Sequence, residues 1–278
     1  MTRHLAIVLV LLTASCAGAA EKKLDRTFTV APNGSLVVEA DGPSVKVSGN
    51  DTNQVVVHMT ARGSDDDLAN MTFDATQNGN DVNVVMKRQG HGSWFRSWNG
   101  DGHIEVTVPK NYGINVRTGG GSVELTNTAG TASLHTSGGD VVAKSVTGNV
   151  EARTSGGGIK ADTIRGDIDA STSGGDVRLM LVDGRIRART SGGSVECSLV
   201  GTNRGISVST SGGDIDLTLP QGTTADVDAS TSGGNIKTEL PVATTEIREG
   251  HLKGSMNGGG QPIEARTSGG SISLHAAH

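Results

Sequence analysis

From residue 24 to residue 110, apolar and polar residues alternate in short runs. They are Phe28-Thr29-Val30, Leu36 to Ala40, Val45-Lys46-Val47, Val55 to Met59, Val82 to Met86 and Ile104 to Val108. A period of two predicts strands with one buried face. Turn-forming residues separate the runs at Pro32-Asn33-Gly34, Asp41-Gly42-Pro43, Gly49-Asn50-Asp51 and Asn78-Gly79-Asn80, where a strand has to end. Residues 63–70 read as a loop or as a short helical turn capped by Ser64. Residues 21–110 are thus a β-rich N-terminal region without a strict repeat, expected to begin or cap the regular C-terminal part of the chain.

From residue 111 to residue 278 the alternation becomes periodic. Thr-Ser-Gly-Gly, then a small polar residue or Gly, then Val or Ile, starts at Thr136, Thr154, Thr172, Thr190, Thr210, Thr231 and Thr267, with a degenerate copy at Thr118. Copies lie 18 residues apart up to Thr190, and the later gaps are 20, 21 and 36. Each unit holds two turns and two strands, so the chain coils and buries its apolar face only by stacking on neighbouring coils. The pattern predicts an all-β solenoid. Val141, Ile159, Val177, Val195, Ile215, Ile236 and Ile272 are expected to stack in one inner ladder, and Ala152, Ala170, Ala188, Ala229 and Ala265 in another. Within the unit from Thr172, the alternation predicts Val177, Leu179 and Leu181 on the inner face. Gly-Gly is expected to supply φ > 0 in a tight turn, with Thr and Ser hydroxyls forming polar ladders along the edge. Residues 254–260 read as a degenerate turn one period before Thr267.

Composition narrows the class. Gly is 41 of 278 residues and aromatics are only 2%, which suits a thin core of Val, Ile, Leu and Ala. The net charge of -5, with both signs interspersed, gives no reason to expect nucleic acid as a partner. Arg3 and His4, the apolar run Leu5 to Leu12 and the small residues up to Ala20 form an export signal over residues 1–20. Cleavage after Ala19 or Ala20 is one processing route. The other is lipidation of Cys16, which closes the lipobox-like stretch Leu12-Thr13-Ala14-Ser15-Cys16 and is the one expected route to a membrane. Cys197 alternates with Val195 and Leu199 and reads as a small buried hydrophobe.

Val106-Thr107-Val108-Pro109-Lys110, Asn115-Val116-Arg117-Thr118 and every repeat through Ile272 resemble the bacterial putative-adhesin family, whose members carry Thr-Ser-Gly-Gly-Asp-Ile-type strand repeats. The resemblance implies a right-handed β-solenoid-like fold in a cell-envelope protein. It brings no catalytic residues with it, and no cofactor is expected.

Candidate chemistry is sparse. Asp140, Asp176 and Asp214 share a turn position and could align with Asn235 as calcium ligands, but Gly158, Ser194 and Ser271 occupy the same place in other units. Carboxylates such as Glu151, Asp167, Asp169 and Glu196 are spread along outward faces, and the histidines show no ligand spacing. Arg165-Gly166-Asp167 spells an integrin-binding tripeptide at the place of an ordinary second turn. The one break in local rules is the loop 89–103, where Trp94, Phe95 and Trp98 sit with Arg96 between two strands. Trp94, Phe95 and Trp98 either close the end of the thin core or, together with Arg96, bind an envelope protein or glycan. The sequence therefore points to an exported, non-enzymatic, adhesin-like interaction scaffold of the periplasm or envelope. A carbohydrate-active β-helix lyase or hydrolase is the alternative.

Overall fold

The computed structural model describes residues 20–88 and 101–277, which fall into two compact units, one up to Gly139 and one from Asp140. The first holds strands β1 (Ala20–Thr29), β2 (Ser35–Ala40), β3 (Ser44–Asn50) and β4 (Gln54–Gly63), then helix α1 (Asp65–Ala69). It continues with β5 (Met71–Asn78), β6 (Asp81–Arg88), β7 (Asp101–Pro109), β8 (Gly113–Thr118), β9 (Val123–Ala129) and β10 (Ala132–Thr136). One sheet runs β1-β4-β7-β3-β9 and the other β5-β6-β2-β8-β10. Leu36 of β2 lies in parallel register between Val82 of β6 and Ile114 of β8, and Val45 of β3 lies likewise between Ile104 and Val123. The earliest coil of the chain is therefore held between later ones. Antiparallel strands then cover the open edges: β4 pairs with β7, β1 with β4, and β5 with β6. The short-helix alternative for residues 63–70 is the one adopted, with Ser64 Oγ accepting the Asp67 N–H at 3.2 Å. Lys22 Nζ ties this turn to β1 by donating to the carbonyls of Leu68 and Met71 at 3.2 and 2.6 Å.

The second unit holds β11 (Val141–Thr147), β12 (Val150–Arg153), β13 (Ile159–Arg165), β14 (Ile168–Ser171), β15 (Val177–Asp183), β16 (Ile186–Arg189), β17 (Val195–Leu199) and β18 (Ile206–Ser209). After them come β19 (Ile215–Leu219), β20 (Ala225–Thr231), β21 (Ile236–Thr238), β22 (Ala243–Arg248), β23 (His251–Met256), β24 (Pro262–Thr267) and β25 (Ile272–Ala276). From β11 to β19 successive strands alternate between two sheets, and each strand is parallel to its counterpart one coil on. This is the expected solenoid.

The last two coils depart from chain order. β24 and β25 stack on β18 and β19, and β20 and β21 lie beyond them. One inner ladder therefore ends Ile215, Ile272, Ile236 rather than Ile215, Ile236, Ile272. In the other, Val208 stands between Ala188 and Ala265, and Ala229 follows Ala265. Residues 243–256 do not make the coil that the 36-residue gap implied. β22 and β23 form an antiparallel hairpin, and β23 pairs antiparallel with β20. The hairpin covers a parallel edge that would otherwise expose its hydrogen-bonding groups.

The turn glycines work differently from the sequence expectation. Positive φ occurs at second-turn glycines such as Gly148 (131°), while the Thr-Ser-Gly-Gly pairs do not have it. Their reason is close approach. A Cβ on Gly193 would lie 2.3 Å from the Gly175 carbonyl oxygen of the preceding coil, and one on Gly175 would lie 2.4 Å from that of Gly157. The threonines are buried. Thr190 Oγ1 donates to the Gly175 carbonyl at 2.8 Å and accepts the Gly193 N–H at 3.3 Å, so one hydroxyl joins two coils. Thr210 and Thr267 repeat the arrangement. The serine side chains form no such ladder; the serine carbonyls do, with Gly192 N–H donating to Ser173 at 3.1 Å and Gly212 N–H to Ser191 at 3.1 Å.

A second correction concerns Leu181. Ser145, Thr163 and Leu181 occupy the same point of β11, β13 and β15 with φ of 55°, 58° and 53°. Each inserts one left-handed residue, a bulge that shifts the alternation by one. Val146, Ile164 and Val182 consequently take the inner positions, and Leu181 is 48% exposed.

Candidate functional site

Trp94, Phe95, Arg96, Trp98 and Cys16 lie outside the described residues. The turn aspartates are inside them and have a structural partner. Asp176 Oδ1 accepts the Ser194 N–H at 2.8 Å, Ser194 Oγ accepts the Asp214 N–H at 3.1 Å, and Asp214 Oδ1 accepts the Ser271 N–H at 2.7 Å. Asp140 Oδ1 accepts the Gly158 N–H at 2.7 Å. A short acceptor after Gly-Gly thus satisfies the backbone of the adjoining coil. Asp167, from the integrin-type tripeptide, does the same for the Arg185 N–H at 2.9 Å.

Two titratable groups are displaced by burial. Cys197 is 2% exposed, and desolvation pushes its thiol up, with the Glu196 carboxylate adding to the effect. Tyr112 is raised to about 12 by desolvation and by the charge of Asp81, and its hydroxyl donates to the Asn80 carbonyl. A raised thiol pKa suppresses the thiolate, so Cys197 is packed and chemically quiet.

A different set of residues comes together in the second unit. Ile186 and Ala188 face inward on β16, so alternation turns Arg187 and Arg189 outward, and Arg185 precedes them on the same side. The interval from Thr190 to Thr210 is 20 residues instead of 18, and residues 200–205 loop out of the coil. Asn203 holds this loop: it is 6% exposed, its Nδ2 donates to the Gln261 carbonyl at 2.7 Å, and its Oδ1 accepts the Gly205 N–H at 2.9 Å. Arg204 is thereby brought beside Arg185, whose Nε donates to the Arg204 carbonyl at 3.3 Å.

The four guanidinium-bearing residues line an open groove of about 520 Å³. Ser207, a small residue beside Arg187 in the β16–β18 register, keeps the floor low. The far wall carries Gln261, Pro262 and Glu264, which reach it because β24 stacks on β18. Arg204 Nη2 lies 3.9 Å from Asp183, and Glu264 lies 3.4 Å from Arg266. Neither Arg187 nor Arg189 has an ion-pair partner among the described residues. Sequence reasoning passed over this site. The alternation Arg185, Arg187, Arg189 was the available signal, whereas the 57-residue separation between Ser207 and Glu264 hid the opposite wall.

A second polar cluster lies on the hairpin side. His251 Nε2 is 3.2 Å from Asp228 Oδ1, its Nδ1 is 3.8 Å from Glu246 Oε1, and Arg266 is 3.6 Å from Asp228.

The family description Toastrack DUF4097 matches residues 33–275. The chain belongs to the Toastrack family. The likeness drawn from the Thr-Ser-Gly-Gly repeats therefore holds, and the Toastrack match accounts for both units. Several solved structures are similar in part. A putative lipid binding protein from Parabacteroides distasonis is 14% identical with a TM-score of 0.45, covering 92% of this chain and 97% of its own. A putative adhesin from Bacteroides fragilis is 14% identical with a TM-score of 0.37 over the same shares. A putative cell adhesion protein from Clostridium sporogenes is 14% identical with a TM-score of 0.29, covering 92% of this chain and all of its own. No curated protein matches the chain. No helix among the described residues is long and apolar enough to cross a membrane.

Proposed function

We propose that this Toastrack chain is an exported, adhesin-like scaffold of the cell envelope that binds a partner and does not catalyse. The observation that carries the reading is the groove of Arg185, Arg187, Arg189 and Arg204: its charged groups are set to hold a ligand, with one carboxylate on the facing wall. General acid–base chemistry on a glycosidic bond calls for a convergent pair of carboxyl groups. The turn carboxylates are instead engaged by backbone N–H groups. The N-terminal apolar run and small residues supply the route out of the cytoplasm, and Cys16 supplies a lipid anchor if it is retained.

One observation favours the enzymatic alternative, namely the cluster of Asp228, Glu246 and His251. Incubating the exported protein with envelope glycans, while following both binding and chain cleavage, separates the two. The scaffold reading expects binding without turnover, and turnover abolished by Glu246→Gln or Asp228→Asn would replace it with the enzyme. Intact mass of the exported protein reports the state of Cys16 in the same preparation.

A further inference from the structure

We infer that the arginine groove on β16, β18 and β24 is a binding site for an acidic polysaccharide, one that carries repeated carboxylate or sulfate groups; this rests on the scaffold reading above. Arg185, Arg187 and Arg189 follow one another at every second residue, so their Cα atoms are spaced by about 6.6 Å along the strand. That row presents three cations in a line, with Arg204 set beside it by the loop 200–205. A guanidinium pairs with carboxylate or sulfate through two parallel N–H donors, which a point charge cannot match. The groove is therefore suited to an extended polymer with a repeating oxyanion.

The rest of the lining selects among polyanions. Ser207, Gln261 and Glu264 offer neutral and acceptor groups beside the arginines, as sugar hydroxyls require. Among the described residues no aromatic side chain lines the groove, so they offer a single-stranded nucleic acid no stacking platform. Ile186 and Ile206 turn their side chains into the core and lend the groove only backbone, so the open, polar-rimmed cleft gives an acyl chain no apolar slot.

Arg187 and Arg189 stand on one face of one strand in no ion pair among the described residues, with Asp169 of β14 in register beside Arg187, and exposed side chains so placed add little to stability. Removing them should not lower stability, whereas a structural role would make it fall. The groove gathers four of the chain's 24 Lys and Arg residues in one place, although the net charge of the chain is -5.

The test titrates the full exported chain with polygalacturonate, dextran sulfate, neutral dextran and phosphatidylglycerol vesicles. We expect one or both acidic polymers to bind and neutral dextran not to bind. Replacing Arg187 and Arg189 together by Ala should weaken polymer binding at least about tenfold, as expected from the loss of two charge-assisted contacts, with the melting temperature unchanged or higher. Arg204→Ala, on a separate loop, should weaken it as well. Arg178→Ala, which removes an arginine paired with Glu196 on the other sheet, should leave it unchanged. Equal binding of neutral dextran, wild-type affinity in the double variant, or binding to vesicles alone would overturn the proposal. If the acidic polymers fail while other envelope glycans bind without turnover, this site assignment falls and the scaffold reading stands.

Discussion

Thr190 is 6% exposed and its hydroxyl serves two coils at once, accepting from its own turn and donating to the turn before it. Thr190→Val keeps the shape but leaves the half-buried Gly193 N–H and Gly175 carbonyl without this partner. Chemical unfolding should show a loss of about 1–3 kcal/mol, largely restored in Thr190→Ser. A loss no larger in Val than in Ser would mean that the hydroxyl does not hold the coils together. The importance of this threonine was legible, since it recurs with the period. The reason for the glycines was not. Close approach between coils is a distance between residues 18 positions apart, and a reading of local turn chemistry assigns Gly to backbone dihedrals by default.

At the scale of the element, the bulge in β11, β13 and β15 explains why strict alternation misplaced Leu181. One left-handed residue per strand moves the inner position from 181 to 182, and this pattern was present in the sequence as the spacing of Val146, Ile164 and Val182. Leu181 holds φ of 53° with a side chain that gains little from burial. Asn adopts that conformation more easily, as Asn127 does at φ of 58° in β9. Leu181→Asn should therefore raise stability by about 0.5–1 kcal/mol in denaturant unfolding; a lower midpoint would show that Leu181 makes a contact worth more than the strain. The arginine row of β16 belongs to the same scale, because alternation alone turns it outward. What alternation cannot supply is the facing wall, which depends on β24 stacking on β18 out of chain order.

For the molecule as a whole, both units place a coil out of sequence order; antiparallel strands then close the edges of both sheets in the first unit and the β20 edge in the second. In the first unit β2 and β3 lie between later coils; in the second β24 and β25 lie between earlier ones. Neither arrangement is written in the repeat itself, since the apolar ladders accept any coil with the right register. Val or Ile stacks equally well on either neighbour. The repeat thus sets the coil, and its failures set the features that differ from coil to coil: the 20-residue interval makes the arginine loop, and the 36-residue interval makes the closing hairpin.

Thr-Ser-Gly-Gly is, at every scale, a stacking device and not a recurring binding site. The thermal midpoint of Gly193→Ala tests this most directly. A Cβ placed 2.3 Å from the Gly175 carbonyl oxygen cannot be accommodated without separating two coils. Overpacking of this kind costs about 2–3 kcal/mol, so the midpoint should fall by about 5 °C or more. A midpoint within about 1 °C of the parent chain, well under the shift expected for 1 kcal/mol, would contradict the stacking role and make the motif a candidate binding surface again.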